Sequence, residues 1–192
     1  MRNYAVIGDP VGHSRSPGMQ NAAFEHYRLG SPYVKRHVRP GELGAFVEEA
    51  RRTLAGFNCT VPHKSAIIPY LDEVDPKALA ASSVNTVTVR EDGTLAGTST
   101  DGYGLEMALE TNFGRPLAGA EVCFIGCGGA AHATSFHLAE RGVRTIRLAT
   151  GRSPRRKSLR KNSARRIRVS RSKPPSPPTA IRSRAGSPPR IS

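Results

Sequence analysis

From residue 3 to residue 149, short apolar runs of β character alternate with segments of helical period, and this alternation predicts a mostly parallel sheet covered by helices. Residues 3–8 and 56–60 read as buried strands and 33–38 as a further strand. Between them, 17–28 carries Met19, Ala22, Ala23 and Tyr27 at helical spacing, and 42–54 places Leu43, Phe46, Val47 and Ala50 on one stripe. Ser16 suits the cap of the first helix, and Pro17 suits its first turn, where a missing amide hydrogen costs nothing. A helix over 63–71 and a short helical piece after Asp75-Pro76 follow. Residues 83–90 and 94–98 then flank Glu91-Asp92-Gly93, and an Asp-Gly between two β-rich runs predicts a hairpin. Another helix opens within 98–104 and runs to about residue 112. A second unit begins near Leu117: a strand over 120–125, a glycine-rich turn, a helix over 132–141 closed by Gly142, and a strand over 143–149.

Charge confines this architecture to the first 149 residues. The chain has 192 residues with 29 Lys and Arg against 15 Asp and Glu, a net charge of +14. Residues 1–150 hold 15 of each sign, so the whole excess lies in 151–192, a segment with 14 basic side chains, no acidic one, seven prolines and nine serines. Such a composition, without helical or alternating period, predicts a disordered basic tail over 150–192. As a functional element it would touch nucleic acid only nonspecifically, through phosphates. The simpler reading is a shifted reading frame or a truncated gene, because the change falls in mid-fold just after a strand. Cys59, Cys123 and Cys127 form no C-x-x-C pair and are odd in number, so neither a disulfide framework nor a metal site is expected, which suits a reducing cytosol. No run approaches the roughly 18 apolar residues of a membrane span. The chain enters its first strand from Met1-Arg2 without a signal-type apolar region. A cytoplasmic protein without a membrane segment is expected.

Two stretches carry chemistry. In Gly56-Phe57-Asn58-Cys59-Thr60-Val61-Pro62-His63-Lys64 a strand ends, polar side chains gather and a helix begins; ligands of open α/β sheets bind outside the carboxyl ends of strands. Pro62 suits a first helical turn, and Lys64 falls in the same turn, where a cation opposes the helix dipole. A lysine badly placed for folding is well placed for proton transfer, although the stretch alone reads more simply as an exposed lysine after a Pro turn. Asp101 opens a later helix, as a capping carboxylate or as a functional one. The second stretch is Gly126-Cys127-Gly128-Gly129-Ala130-Ala131, a G-x-G-x-x-A turn with a strand before it and a helix after it, the context of dinucleotide binding. Backbone amides and the helix dipole would meet a pyrophosphate there. No acid follows Glu140, so a carboxylate for the ribose of NAD is lacking, whereas Arg152 would meet the 2′-phosphate of NADP. His132 and His137 lie on different helix faces, which argues against a metal site with Cys127.

Taken in order, GDPVGHSRSP, GFNCTVPHK, SVNT, STDGYG and VCFIGCGGAA resemble the shikimate dehydrogenase family over residues 3 to 149. The resemblance implies an amino-terminal substrate-binding α/β domain at 1–104, an incomplete Rossmann-type NADP-binding unit at 105–149 and the tail beyond. It implies NADP-dependent, reversible reduction of 3-dehydroshikimate to shikimate on the route to chorismate and aromatic amino acids, in a monomer or homodimer. Ser14 and Ser16 match the pair that binds the substrate carboxylate; Asn58, Thr60, Asn85 and Asp101 match positions along its hydroxyl side. Lys64 matches the catalytic lysine, with Asp101 holding it, while Gly126, Gly128, Gly129 and Ala130 match the cofactor loop. Burial and the helix dipole would lower the lysine pKa and the carboxylate would raise it. Gln20 replaces a usual His, Ser99 a usual Asn, and Thr150-Gly151-Arg152-Ser153 stands where the family shows Asn-Arg-Thr or Asn-Arg-Ser. Further βα units and the helix that returns to the substrate site are missing. The rival readings are a quinate/shikimate dehydrogenase using NAD, a non-catalytic shikimate-binding fragment, and a tail-borne nucleic-acid binder.

Overall fold

The computed structural model describes residues 2–126 and 128–149, and the backbone of 165–167. Along the chain these form β1 (Asn3–Gly8), α1 (Ser16–His26), β2 (Tyr33–His37), α2 (Leu43–Thr53), β3 (Leu54–Cys59), α3 (His63–Ala66), β4 (Glu73–Val74), α4 (Pro76–Ala80), β5 (Thr86–Val89), β6 (Leu95–Thr98), α5 (Asp101–Phe113), β7 (Glu121–Ile125), α6 (Gly129–Glu140), β8 (Thr145–Ala149) and β9 (Arg165–Ile167). Six strands make one sheet in the order β2-β1-β3-β5-β6-β4. β2, β1 and β3 run parallel, β3 to β5 and β5 to β6 are antiparallel, and β4 is parallel to β6. The expected hairpin is β5–β6, with Thr86 opposite Thr98 and Val89 opposite Leu95.

The apolar stripe of α2 does what its period predicts. Leu43, Phe46, Val47 and Ala50 are buried and close one face of the sheet together with Ala5, Ile7, Leu54, Phe57, Val87 and Leu95. Phe46 meets Phe57 edge to face at 5.1 Å, the arrangement that the ring quadrupoles favour.

Two local readings change in the structure. The α1 stripe is not buried: Met19 and Tyr27 are 66% and 71% exposed. That helix rests on the edge of the sheet, where Phe24 packs against Tyr4 and Tyr33 and the Asn21 side chain pairs with both backbone groups of Tyr33. The helix expected over 63–71 is one α turn, preceded rather than opened by Pro62, and then a 3-10 turn at Ile68–Tyr70. Pro69 has no amide hydrogen and its ring crowds the carbonyl four residues back, which stops the α ladder. In the tail, the backbone of Arg165–Ile167 pairs antiparallel with β8. The free edge of β8 offers a row of unpaired amide and carbonyl groups that attracts such a strand. The expectations for 150–164 and 168–192 lie outside the described residues.

The second sheet, β7-β8-β9, has β7 and β8 parallel. α6 covers one of its faces, burying Leu138 with Leu117, Val143 and Ile146 against Leu105 and Leu109 of α5. Among the described residues the other face is uncovered: Cys123 is exposed, and Ile125 is 96% exposed. The boundary expected at 104/105 falls inside α5, whose first turn adjoins the six-stranded sheet and whose length packs on α6.

Candidate functional site

One edge of the six-stranded sheet gathers the polar residues. β1 and β3 end there at Gly8 and Cys59, and because β5 is antiparallel its first residue, Thr86, lies opposite Asn58 at the same edge, with Thr98 of β6 beside it. Segments that follow or precede these ends therefore converge: the β1–α1 loop with Ser14 and Ser16, the corner from Thr60 to Lys64, Asn85, and the start of α5.

The centre of the cluster is Lys64 Nζ donating to Asp101 Oδ2 at 2.6 Å, both side chains about one-fifth exposed. They are thus partly desolvated yet open to a ligand. Asp101 does not cap its helix; its second oxygen accepts from Asn85 Nδ2 at 2.8 Å. Asn85 Nδ2 also donates to Thr100 Oγ1, and Asn85 Oδ1 accepts from the Thr100 amide and from Thr86 Oγ1. Asn58 Nδ2 donates to the Asn85 carbonyl and to Thr86 Oγ1, each at 3.0 Å. Asn58 Oδ1 accepts the Tyr33 hydroxyl at 2.6 Å. Burial pushes the Tyr33 phenol up to about 12, with a smaller push from Cys59, so it stays a donor.

Of the residues singled out from sequence, Asn58, Lys64, Asn85 and Asp101 thus form one network. Both amide hydrogens of Asn58 and of Asn85 are taken, which makes these two braces as much as ligand contacts. Thr60 sits against Gly8, where an added Cβ would lie 2.6 Å from Thr60 Cγ2, so that glycine is what lets β1 and the corner approach. Ser14 and Ser16 are half-buried at the start of α1, joined by the Ser16 amide donating to Ser14 Oγ at 3.3 Å. Tyr33, Thr86 and Thr100 were not singled out. Tyr33 enters from β2 across β1, Thr86 by the register of β3 and β5, and Thr100 from the turn before α5; the one available signal was a tyrosine, with its apolar ring and polar tip.

Cys59 is buried beside this network, and burial pushes its thiol up to about 12, only partly opposed by the charge of Lys64. Brief iodoacetamide treatment of the folded chain at neutral pH is expected to alkylate the exposed Cys123 and spare Cys59, as peptide mass mapping would show.

The glycine turn belongs to the second sheet. Gly126 has φ +106°, which an L side chain rarely adopts, and nothing lies within 4 Å of a Cβ added to Gly128 or Gly129. α6 begins at Gly129 with no side-chain cap, and Ala130 lies in its first turn, where backbone amides have no partner within the helix. Arg152 lies outside the described residues, as does Cys127. The two histidines of α6 are committed elsewhere: His132 Nδ1 donates to the Ala81 carbonyl at 2.8 Å and His137 Nε2 to Glu106 Oε2 at 2.7 Å.

The family model described as the shikimate dehydrogenase substrate binding domain matches residues 6–87. A shikimate dehydrogenase (NADP(+)) from Bacillus anthracis is 43% identical over 159 residues, 82% of this chain and 57% of that protein. The chain belongs to the shikimate dehydrogenase family. A solved family member, shikimate 5-dehydrogenase from Thermus thermophilus in complex with NADP(H) and shikimate, is 36% identical with a TM-score of 0.73. The match covers 79% of this chain and 56% of that one. Another, from Listeria monocytogenes in complex with shikimate and NAD, is 35% identical with a TM-score of 0.73, covering 80% and 53%. The chain therefore spans little more than half the length of these family members. Among the described residues no helix is long and apolar enough to cross a membrane.

Proposed function

We propose that the polar edge of the six-stranded sheet binds shikimate and 3-dehydroshikimate, and that Lys64 moves the proton in their NADP-dependent interconversion. The observation that carries this reading is the Lys64–Asp101 pair, partly desolvated at the carboxyl ends of the strands, with hydroxyl and amide side chains around it. Asp101 takes one ammonium hydrogen of Lys64, which leaves two for a substrate oxygen. As the ketone is reduced, its oxygen gains negative charge; Lys64 stabilises that charge and gives up a proton, and in the reverse direction its amine takes the hydroxyl proton. Ser14 and Ser16 supply hydroxyls for the carboxylate, and Thr60 supplies one for the ring hydroxyls. Asn58 and Asn85 hold the cluster in shape.

The left-handed backbone at Gly126, the open space over Gly128 and Gly129 and the uncapped start of α6 fit the pyrophosphate of a dinucleotide. When bound, NADP supplies the acceptor for the hydride that leaves the hydroxyl-bearing carbon. A cytoplasmic setting suits the free thiols of Cys59 and Cys123.

Calorimetric titration of the purified chain with shikimate and with quinate tests the substrate assignment. Shikimate is expected to bind with a dissociation constant between about 1 μM and 1 mM, the usual substrate range, and Ser14→Ala with Ser16→Ala should abolish the heat. Equal affinity for quinate would shift the reading to a quinate/shikimate enzyme, and no heat with either acid would overturn it.

A further inference from the structure

The contact between α5 and α6 joins the two halves of the proposed site. Asp101, which holds Lys64, is the first residue of α5, and Gly129 of the glycine turn is the first residue of α6. One residue on from Asp101, Gly102 lets the helices meet: an added Cβ would lie 2.3 Å from Cβ of His137 and 2.6 Å from its Cγ. One turn further, Glu106 is 3% exposed. Both of its oxygens are used, one by His137 Nε2 at 2.7 Å and the other by Arg141 Nε. The His137 hydrogen bond, then the Arg141 hydrogen bond and charge, hold the Glu106 carboxyl below the usual carboxylate range in spite of its burial. Near its other end, α6 is fastened to the six-stranded unit by His132 donating to the Ala81 carbonyl at the end of α4. A third tie, Lys77 Nζ to Glu140 Oε2 at 3.0 Å, joins α4 to the last residue of α6.

We propose that Glu106 is a positioning residue that locks α6 onto α5, so that the glycine turn is carried in fixed register with the helix that begins at Asp101. This rests on the function proposed above. It accounts for a buried carboxylate and two histidines that the proton-transfer site does not use, and for glycine at 102. Hydride transfer depends on registry between groups carried by different sheets, and a misplacement of about 1 Å costs on the order of 10²-fold in rate. Glu106 acts through the helices and touches no reacting atom.

Amide hydrogen exchange of the 192-residue chain, followed by mass spectrometry alongside shikimate titration, separates the alternatives. In Glu106→Gln the shikimate dissociation constant should stay within about two-fold, while exchange across 129–140 speeds up by about ten-fold or more as that unit opens separately. His137→Ala should behave alike, whereas His137→Gln, which keeps a hydrogen-bond donor, should restore protection. Where turnover is followed, kcat falls on the order of 10²-fold in Glu106→Gln with KM for shikimate unchanged. Unchanged exchange at 129–140 in Glu106→Gln would overturn the proposal. So would equal exchange in the two His137 variants, which carry the decision if Glu106→Gln fails to fold. A wild-type chain that ignores shikimate would sink the functional reading while leaving the exchange comparison intact.

Discussion

Lys64→Ala is expected to lower turnover by about 10² to 10⁴-fold, the range that a positioned acid–base group contributes, with far less effect on shikimate affinity. The asymmetry follows from when the lysine acts. On the proposed reading its ground-state ammonium is one hydrogen-bond donor beside those of Ser14, Ser16 and Thr60, whereas charge on the substrate oxygen develops only on the way to the alkoxide. Removing Lys64 also frees one oxygen of Asp101, while the Asn85 bond to the other oxygen at 2.8 Å keeps the carboxylate in place. The neighbouring network should therefore survive the substitution. Steady-state kinetics paired with calorimetric binding would check this. Equal losses in kcat and in affinity would point to a lysine that merely binds.

Ile67→Ala is expected to have the largest effect on stability. Ile67 is fully buried, closes the α turn that carries Lys64, and donates its amide to the His63 carbonyl at 2.9 Å. Truncating a buried isoleucine costs about 2 to 5 kcal/mol, through lost transfer energy and the cavity left behind. Domains are stable by only about 5 to 15 kcal/mol, so a large part of the margin goes. A fall in melting temperature of roughly 5 to 15 °C should emerge by calorimetry or circular dichroism. Because the cavity opens beneath the corner that carries Lys64, shikimate affinity should fall together with stability, the reverse of the Lys64→Ala pattern. A shift under about 2 °C would mean that the turn is held by its backbone bonds and not by this side chain.

Much of the fold can be read locally. The α2 stripe, the Asp92-Gly93 hairpin and the strand–glycine turn–helix of the second unit each satisfy a period or a turn chemistry within a dozen residues, and each stands where its pattern predicts. Local reading fails where a distant partner or an inserted proline decides. The spacing of Met19, Ala22, Ala23 and Tyr27 is helical, but which face of α1 meets the sheet depends on Phe24 finding Tyr4 and Tyr33. Pro69 breaks a helix whose apolar spacing continues on either side of it. The antiparallel entry of β5 into a parallel sheet is what delivers Asn85 and Thr86 to Asn58, and no local pattern carries a register.

The candidate site divides in the same way. Lys64 is legible as an oddly placed charge, in a first turn that disfavours a cation, whereas Asp101 looks ordinary in a first turn that welcomes an anion. Their mutual bond spans 37 positions, and the family resemblance, not spacing, suggests it. Glu106 gives no sign, since a single glutamate in a helix ordinarily faces water. Its burial follows from Gly102, whose missing side chain brings α6 close enough to cover it.

The most direct test is NADPH formation from shikimate and NADP by the purified 192-residue chain, run beside Lys64→Ala under saturating shikimate. We expect shikimate-dependent NADPH from the unaltered chain and almost none from the variant, while both bind shikimate. A variant that binds shikimate and forms NADPH as fast as the unaltered chain would contradict the assignment of proton transfer to Lys64.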